Sequence, residues 1–350
     1  MAAKWGDGMR SKVALLGIAL VGFFAAGNGA QAQDYKLRYG IASVSFTYAP
    51  LYIAEDQGFF KSEGVSVEAI QLGGSSPAAS ATIAGSIDFF VGLPQTAALA
   101  IAKGEKLATF AIVTKEYGSD IVVSKDVATR LKLRADMPVE ERFEALKGLK
   151  VAAWSPGGSS DMLIRFIAAK RGWKADQDMT ILPIGPSAPM LAALENKRID
   201  AFALSAPTSL QAVEKMGAFL LYSGAKGEWA PLKGEPYMCL IGNTDWLAAN
   251  GDAAAAVYRG LQKAMDFIKA EPEAAKALLR KRLNTFDDAS FEGGYRDVRL
   301  LVPTTPQIGM EDAVKIKEFV ETLNPGVNVP VERLIDTQVG RRATAGQGAK

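Results

Sequence analysis

The sequence predicts an α/β protein of two lobes, each a mostly parallel sheet flanked by helices, with C-terminal helices packing on the first lobe. Three observations carry that prediction. A strand–polar loop–helix–strand unit runs from Leu37 to Ile70. The same order of elements returns 112 residues later. After Gly242 the chain keeps only helical periodicity.

The first unit opens with the apolar run Leu37 to Ala42, a strand pattern, and closes with a second strand, Val65 to Ile70. Between them, Thr47 can cap a helix whose first turn holds Pro50, where a missing N–H costs nothing. Gly58 stops that helix, because glycine accepts the left-handed conformation of a C-terminal cap. Phe59 and Phe60 pack back beneath it, and Gly64 turns the chain into the second strand. The polar loop Ser43 to Tyr48 then stands at a strand's carboxyl end, where ligands sit in open α/β sheets.

Leu37–Ser43 matches Leu149–Ser155, and Ser86–Val91 matches Arg198–Ala203, at the same offset of 112 residues. A repeated βαβ order at equal spacing points to two lobes of like topology. In the second copy, Lys150 to Trp154, Met179 to Ile184 and Ile199 to Leu204 read as strands. Asp161 to Arg171, Ala188 to Asn196 and Pro207 to Met216 read as helices. Between the copies, Thr109–Thr114 and Ile121–Ser124 are strand-like, joined by Lys115–Gly118, a crossing between lobes. The charged segment Lys125 to Lys147 is expected as a surface excursion. Phe219–Ser223 is a further strand, and Pro236–Gly242 suits a return crossing. Helices follow at Asp252–Ala270, Pro272–Leu283, Phe291–Leu301 and Glu311–Leu323, with Val257, Leu261, Ala264, Phe267 and Ile268 on one face of the first.

Pro50-Leu51-Tyr52-Ile53-Ala54, then Gly58-Phe59-Phe60-Lys61, then Glu63-Gly64-Val65 with Val67, resembles the nitrate/sulfonate/taurine family of ABC-transporter substrate-binding proteins. The resemblance is strongest through Gly92. It implies a two-lobed periplasmic-binding-protein fold of type II. It further implies a small-molecule ligand held in a cleft between the lobes and delivered to membrane permease subunits. The expected divisions are a signal peptide at 1–32, lobe 1 at 33–116, lobe 2 at 117–240, a helical second part of lobe 1 at 241–340, and a disordered tail at 341–350.

Lys4, Arg10 and Lys12 precede the apolar run Val13 to Ala26, and Ala30-Gln31-Ala32 offers small residues at the two positions a signal peptidase reads. That is a secretory leader, too short in its apolar core for a stable span, and it directs the chain to the periplasm. Met1 and Met9 both remain open as the start. Residues 1–32 hold Lys4, Arg10, Lys12 and Asp7, so the remainder carries 37 basic and 37 acidic residues. Formal neutrality argues against a nucleic-acid partner. Cys239, the single cysteine, can form no internal disulfide and reads as a small core residue. The chain is expected to act as a monomer with no cofactor.

Helix starts expose unpaired N–H groups and carry partial positive charge, so they hold anions without a basic side chain. Five polar loops supply such starts. They contribute Ser43, Ser45, Phe46, Thr47 and Tyr48; Gly74 and Ser75; Gln95 and Thr96; Ser155, Gly158 and Ser159; and Ser205 and Thr208. Serine, glycine and threonine also serve as ordinary caps and turns; their recurrence at equivalent places in both copies is what marks a site. Gly73-Gly74 and Gly157-Gly158 have neither the dinucleotide fingerprint nor P-loop spacing. Among nearby aromatics, Tyr48 and Trp154 adjoin the main loops, and Tyr117 stands in the crossing; burial in the core is the alternative role for each. Glu116 or Glu228, if either faced the cleft, would favour a cationic ligand.

The chain has no histidine, which excludes a Ser-His-Asp triad, a Cys-His pair and a histidine-ligated metal. The wider fold includes a histidine-dependent pyrimidine-making enzyme whose chemistry is therefore missing. The loops lack Arg and Lys, so a strongly hydrated polyanion, which wants arginine forks, is disfavoured. The expected ligand is a small anion of the sulfonate, taurine or nitrate class. The alternatives are a pyrimidine precursor, an aromatic carboxylate, or a histidine-independent enzyme on the same fold.

Overall fold

The computed structural model describes residues 34–345; the expected leader at 1–32 and residues 346–350 of the expected tail lie outside the described residues. The strands are β1 (Tyr35–Ile41), β2 (Val65–Gln71), β3 (Phe89–Gly92), β4 (Leu107–Lys115), β5 (Asp120–Val123), β6 (Lys150–Ala153), β7 (Thr180–Pro183), β8 (Ala201–Leu204), β9 (Phe219–Tyr222) and β10 (Pro236–Asn243). They form two five-stranded sheets, ordered β2-β1-β3-β10-β4 and β7-β6-β8-β5-β9. In each, three parallel strands are followed by one antiparallel strand, β10 or β5, and then an edge strand.

The helices between the strands are α1 (Ala49–Asp56), α2 (Phe59–Ser62), α3 (Ser75–Ile83), α4 (Pro94–Ala102), α5 (Lys125–Arg130), α6 (Val139–Phe143), α7 (Ser159–Lys170), α8 (Ala175–Asp178), α9 (Ser187–Glu195) and α10 (Thr208–Met216). After β10 come α11 (Thr244–Ala249), α12 (Gly251–Ala270), α13 (Pro272–Arg282), α14 (Asp288–Leu301), α15 (Met310–Leu323) and α16 (Gln338–Ala345).

The repeat seen in sequence is a repeat of hydrogen bonds. The Arg38 N–H donates to Asp88 Oδ2 at 2.7 Å, and the Asp88 N–H returns to the Arg38 carbonyl at 2.9 Å. In lobe 2 the Lys150 N–H donates to Asp200 Oδ2 at 2.9 Å, and the Asp200 N–H returns to the Lys150 carbonyl at 2.9 Å. Each aspartate locks its own strand beside the strand that opens its copy of the repeat, β1 or β6, which is why the Ile-Asp pair recurs.

Locally, the chain departs from the expected cap. A 3-10 turn over Phe46–Tyr48 precedes α1, and Ser45, not Thr47, caps it, accepting from the Thr47 N–H at 3.3 Å. Pro50 sits in the first turn of α1, and Gly58 ends that segment with φ of +67°. Residues 125–147 are no simple surface excursion. Phe143 and Leu146 are fully buried in the lobe 2 core, and Arg142 donates to the Leu221 carbonyl and to Glu228 at 2.7 Å each. Apart from buried Arg142, the charged residues there lie on the outer face of a segment whose apolar face is core.

The lobes join at two crossings, residues 116–119 and 223–235. Because β10 pairs along its length with β3 and β4, the second boundary lies before Pro236, not at residue 240. The crossings run backbone against backbone. A Cβ on Gly224 would lie 1.9 Å from the Tyr117 carbonyl oxygen and 2.5 Å from that of Ser119. The Gly224 N–H donates to Asp120 Oδ1 at 3.1 Å, and Ser209 Oγ donates to Asp120 Oδ2 at 2.6 Å.

Helices α12 and α13 pack on lobe 1 as expected, burying Val257, Leu261, Ala264 and Ile268. Residues 341–345 do not begin a disordered tail. They finish α16, whose Val339 and Ala343 are buried four residues apart against α12, and that apolar pair outweighs the Gly/Ala/Arg composition. Two helices also reach lobe 2. On α14, a Cβ at Gly293 would lie 2.2 Å from Leu210 of α10, and one at Gly294 would lie 2.5 Å from Phe46 of lobe 1. Lys215 of α10 pairs with Asp287, the cap of α14, at 2.6 Å. On α15, Phe319 stacks on Phe166 of α7 at 4.3 Å and on Tyr117 at 5.4 Å.

Glu235, in the second crossing, is buried and accepts from Gln95 Nε2 at 2.7 Å. Burial pushes its carboxyl up to about 8, helped by Asp312 and Glu318 and opposed by the Gln95 amide and Lys315. Burial and neighbouring Asp297 raise Asp120 as well. A carboxyl raised in the folded state contributes stability that is complete below its unfolded value of about 4.3 and lost as pH rises through the folded value. The melting temperature should therefore fall between pH 5 and pH 9. Glu235→Gln, which keeps the acceptor for Gln95 and cannot ionise, should flatten that fall. Equal slopes in thermal melts of the two proteins would show that Glu235 is ionised in the fold.

Candidate functional site

A cavity of about 280 Å3 lies between the lobes, where the loops at the carboxyl ends of the parallel strands converge. Lobe 1 supplies the loop after β1 with Ser43, Ser45, Thr47 and Tyr48, the start of α3 with Gly74 and Ser75, and Leu93 after β3. Lobe 2 supplies the matching set: Trp154, Ser155, Gly158 and Ser159 after β6, Ser187 at the start of α9, and Ser205 and Thr208 after β8. Tyr237 and Met238 of β10 and Phe286, just ahead of α14, complete the wall. Among the described residues, no Asp, Glu, Lys or Arg borders the cavity.

The starts of α3, α7, α9 and α10 stand at this wall, and none has a side-chain cap. Their cap positions hold Gly74, Gly158, Pro186 and Pro207, which have no polar side chain to give. By contrast α5 and α11, away from the cavity, are capped by Ser124 and Asn243. The uncapped first-turn N–H groups are what a neutral wall can offer an anion.

Several of the wall's hydroxyls are held in place by hydrogen bonds. Ser75 Oγ accepts from the Leu93 N–H at 3.1 Å, tying the loop after β2 to the loop after β3. In lobe 2, Thr208 Oγ1 donates to Ser187 Oγ at 2.7 Å and makes the equivalent tie. The loop 155–158 is fixed from behind. The Gly157 N–H donates to Asp161 Oδ2 at 2.9 Å, and Asp161 is met by Arg165 Nε at 3.0 Å, so its charge is paired before it reaches the cavity. The Trp154 N–H donates to Ser160 Oγ at 2.8 Å, which orients the half-buried indole. Tyr48 forms wall without forming an acid: burial raises its phenol well above the ordinary range, and its oxygen accepts from the Ala42 N–H at 3.4 Å.

Four expected site residues stand elsewhere. Phe46 is buried between Phe286 and Phe291, at ring separations of 5.9 and 5.4 Å. Gln95 and Thr96 are buried in the first turn of α4, and Gln95 is spent on Glu235 and the Pro236 carbonyl. β10 inserts beside β3 and covers that start. Tyr117 is fully buried in the crossing, donating to the Ser159 carbonyl at 2.9 Å. Neither glutamate faces the cavity. Glu116 accepts from the Gly234 N–H, and Glu228 from Arg142 and the Ser223 N–H. Three wall residues, Ser187, Met238 and Phe286, were not singled out in sequence. Ser187 had a signal, since Ser75 shifted by the repeat offset of 112 lands on it. Phe286 had none, because its place depends on where α14 docks.

The NMT1-like family model matches residues 30–282, most of the chain. The binding protein YtlA of Bacillus subtilis is 25% identical over 282 residues, 78% of this chain and 79% of that one. The nitrate/nitrite-binding protein NrtA of a Nostoc species is 26% identical over 264 residues, 69% of this chain but only 56% of that longer protein. Among solved structures, the alkanesulfonate-binding protein SsuA of Xanthomonas axonopodis pv. citri, bound to MOPS, shares the fold at a TM-score of 0.67. It covers 87% of this chain and 99% of its own at 19% identity. Two lobes of equal topology, a cleft at the strands' carboxyl ends and a match over most of the length lead to one assignment: the chain belongs to the NMT1-like family.

Proposed function

We propose that the protein is the periplasmic solute-binding component of an ABC importer, and that it captures a small organic monoanion between its lobes and hands it to membrane permease subunits. The observation that carries this reading is a wall with no formal charge, rich in hydroxyls, at which the uncapped starts of α3, α7, α9 and α10 stand. Such donors suit a sulfonate or carboxylate, whose single charge is spread over its oxygens. The cavity's size argues for an organic body. A water takes roughly 30 Å3 of liquid, so a nitrate ion would leave most of 280 Å3 unfilled. Taurine's ammonium would meet no carboxylate. Trp154 and Phe286, both half-buried, put rings in the wall beside buried Tyr48 and Tyr237, which favours an aromatic acid or, as second reading, a neutral pyrimidine precursor against the same rings. The relatives named above are binding proteins, which supports binding rather than turnover, and the protein acts as a monomer.

Thermal melts against benzenesulfonate, benzoate, methanesulfonate, taurine, nitrate and a pyrimidine test this. The aromatic acids should give the largest rise, since a solute at 100 times its Kd adds about 2.7 kcal/mol. A rise with nitrate alone would refute the size argument, and no rise with any compound would refute the ligand class.

A further inference from the structure

Tyr237 stands in the wall of the cavity and at the junction of the lobes at once. Its backbone is the second residue of β10 and so belongs to the lobe 1 sheet. Its phenolic oxygen lies 3.0 Å from Ser119 Oγ, on the first crossing, and 3.1 Å from Ser205 Oγ, in the lobe 2 loop after β8. Its ring centroid is 4.9 Å from that of Tyr117, whose hydroxyl donates to the Ser159 carbonyl at the start of α7. Gly118 makes the approach possible: a Cβ there would lie 3.0 Å from the Tyr237 ring. One side chain thus touches lobe 1, lobe 2, a crossing and the cavity.

We infer that Tyr237 is the positioning residue that sets the angle between the lobes, and that it does so from inside the wall the solute touches. A phenolic oxygen has one proton and two lone pairs. Ser119 and Ser205 use two of these three bonding directions, which leaves one for a solute in the cavity. The bond to Ser205 is the one that ties β10 to the lobe 2 loop, and it borders the cavity on both sides. A solute group that takes that place changes how the lobes are held. The aromatic packing on Tyr117 survives loss of the hydroxyl, so ring and oxygen separate cleanly in Tyr237→Phe.

The inference rests on the solute-binding reading only in calling this wall the solute's. Its test needs no solute, so the two can fail independently. Spin labels on Lys103→Cys in lobe 1 and Glu195→Cys in lobe 2, both exposed, report the interlobe distance, while buried Cys239 stays unlabelled. Tyr237→Phe should shift or broaden that distance distribution by on the order of 3 Å, the scale of a small domain rearrangement. Ser205→Ala should give the same displacement, and the double variant should add nothing further. Leaving Ser119 buried without its partner also lowers the melting temperature, so melting alone decides nothing. A Tyr237→Phe distribution that superimposes on wild type, whatever its melting temperature, overturns the inference. Displacement by Tyr237→Phe but not by Ser205→Ala overturns the role given to the lobe 2 bond.

Discussion

Gly224→Ala is expected to destabilise the protein by about 3 kcal/mol, the upper range for forced overpacking. Most added methyl groups can be absorbed by a side chain turning away. Here the obstacles are the carbonyl oxygens of Tyr117 and Ser119, 1.9 and 2.5 Å from the new Cβ, and backbone cannot rotate aside. The crossings must part, and the Gly224 N–H bond to Asp120 lengthens with them. For a protein of this size the melting temperature should drop by on the order of 5–10 °C. A Gly224→Ala protein that melts with the wild type would mean the crossings are not in close contact in solution.

The second large effect is on binding. Trp154→Ala should weaken the affinity for the best solute of the panel by about 2 kcal/mol, close to 30-fold, as truncation of a tryptophan anchor does. Its backbone bond to Ser160 survives the change, so the loss reports the indole face alone. Ser155→Ala and Ser159→Ala should each cost about 1 kcal/mol, the scale of one neutral hydrogen bond. Calorimetry separates these outcomes. Wild-type affinity in all three variants would make the loop after β6 structural and the site misplaced there.

The elements most legible in sequence were those specified locally. The Ile-Asp pairs announced the repeat because Asp88 and Asp200 do the same local job, bonding the strand that opens their own copy of the repeat, β1 or β6. The C-terminal helices followed from spacing because each buries one face on a partner that needs no identification. What escaped was set at a distance. Gln95 and Thr96 read like the other loop residues, yet β10, far along the chain, covers the start of α4. Phe46 sits in a polar loop but turns inward because α14 brings Phe286 and Phe291 to it. The charge pattern of 125–147 described its outer face and concealed Phe143 and Leu146 beneath.

The close pairing of the two crossings has a consequence for how the chain folds. Lobe 2 is one unbroken stretch, β5 to β9, whereas lobe 1 needs β10 to come back and pair with β4. Closing so long a loop is an entropic cost that grows with its length, and contacts so distant in sequence slow folding. Once lobe 2 has formed, however, its two ends already lie against each other at Tyr117 and Gly224. The search that would join β4 to β10 across the whole insert becomes a search between neighbours. Lobe 2 thus acts as the template on which the divided sheet is completed, and a chain that folds it slowly will finish lobe 1 late.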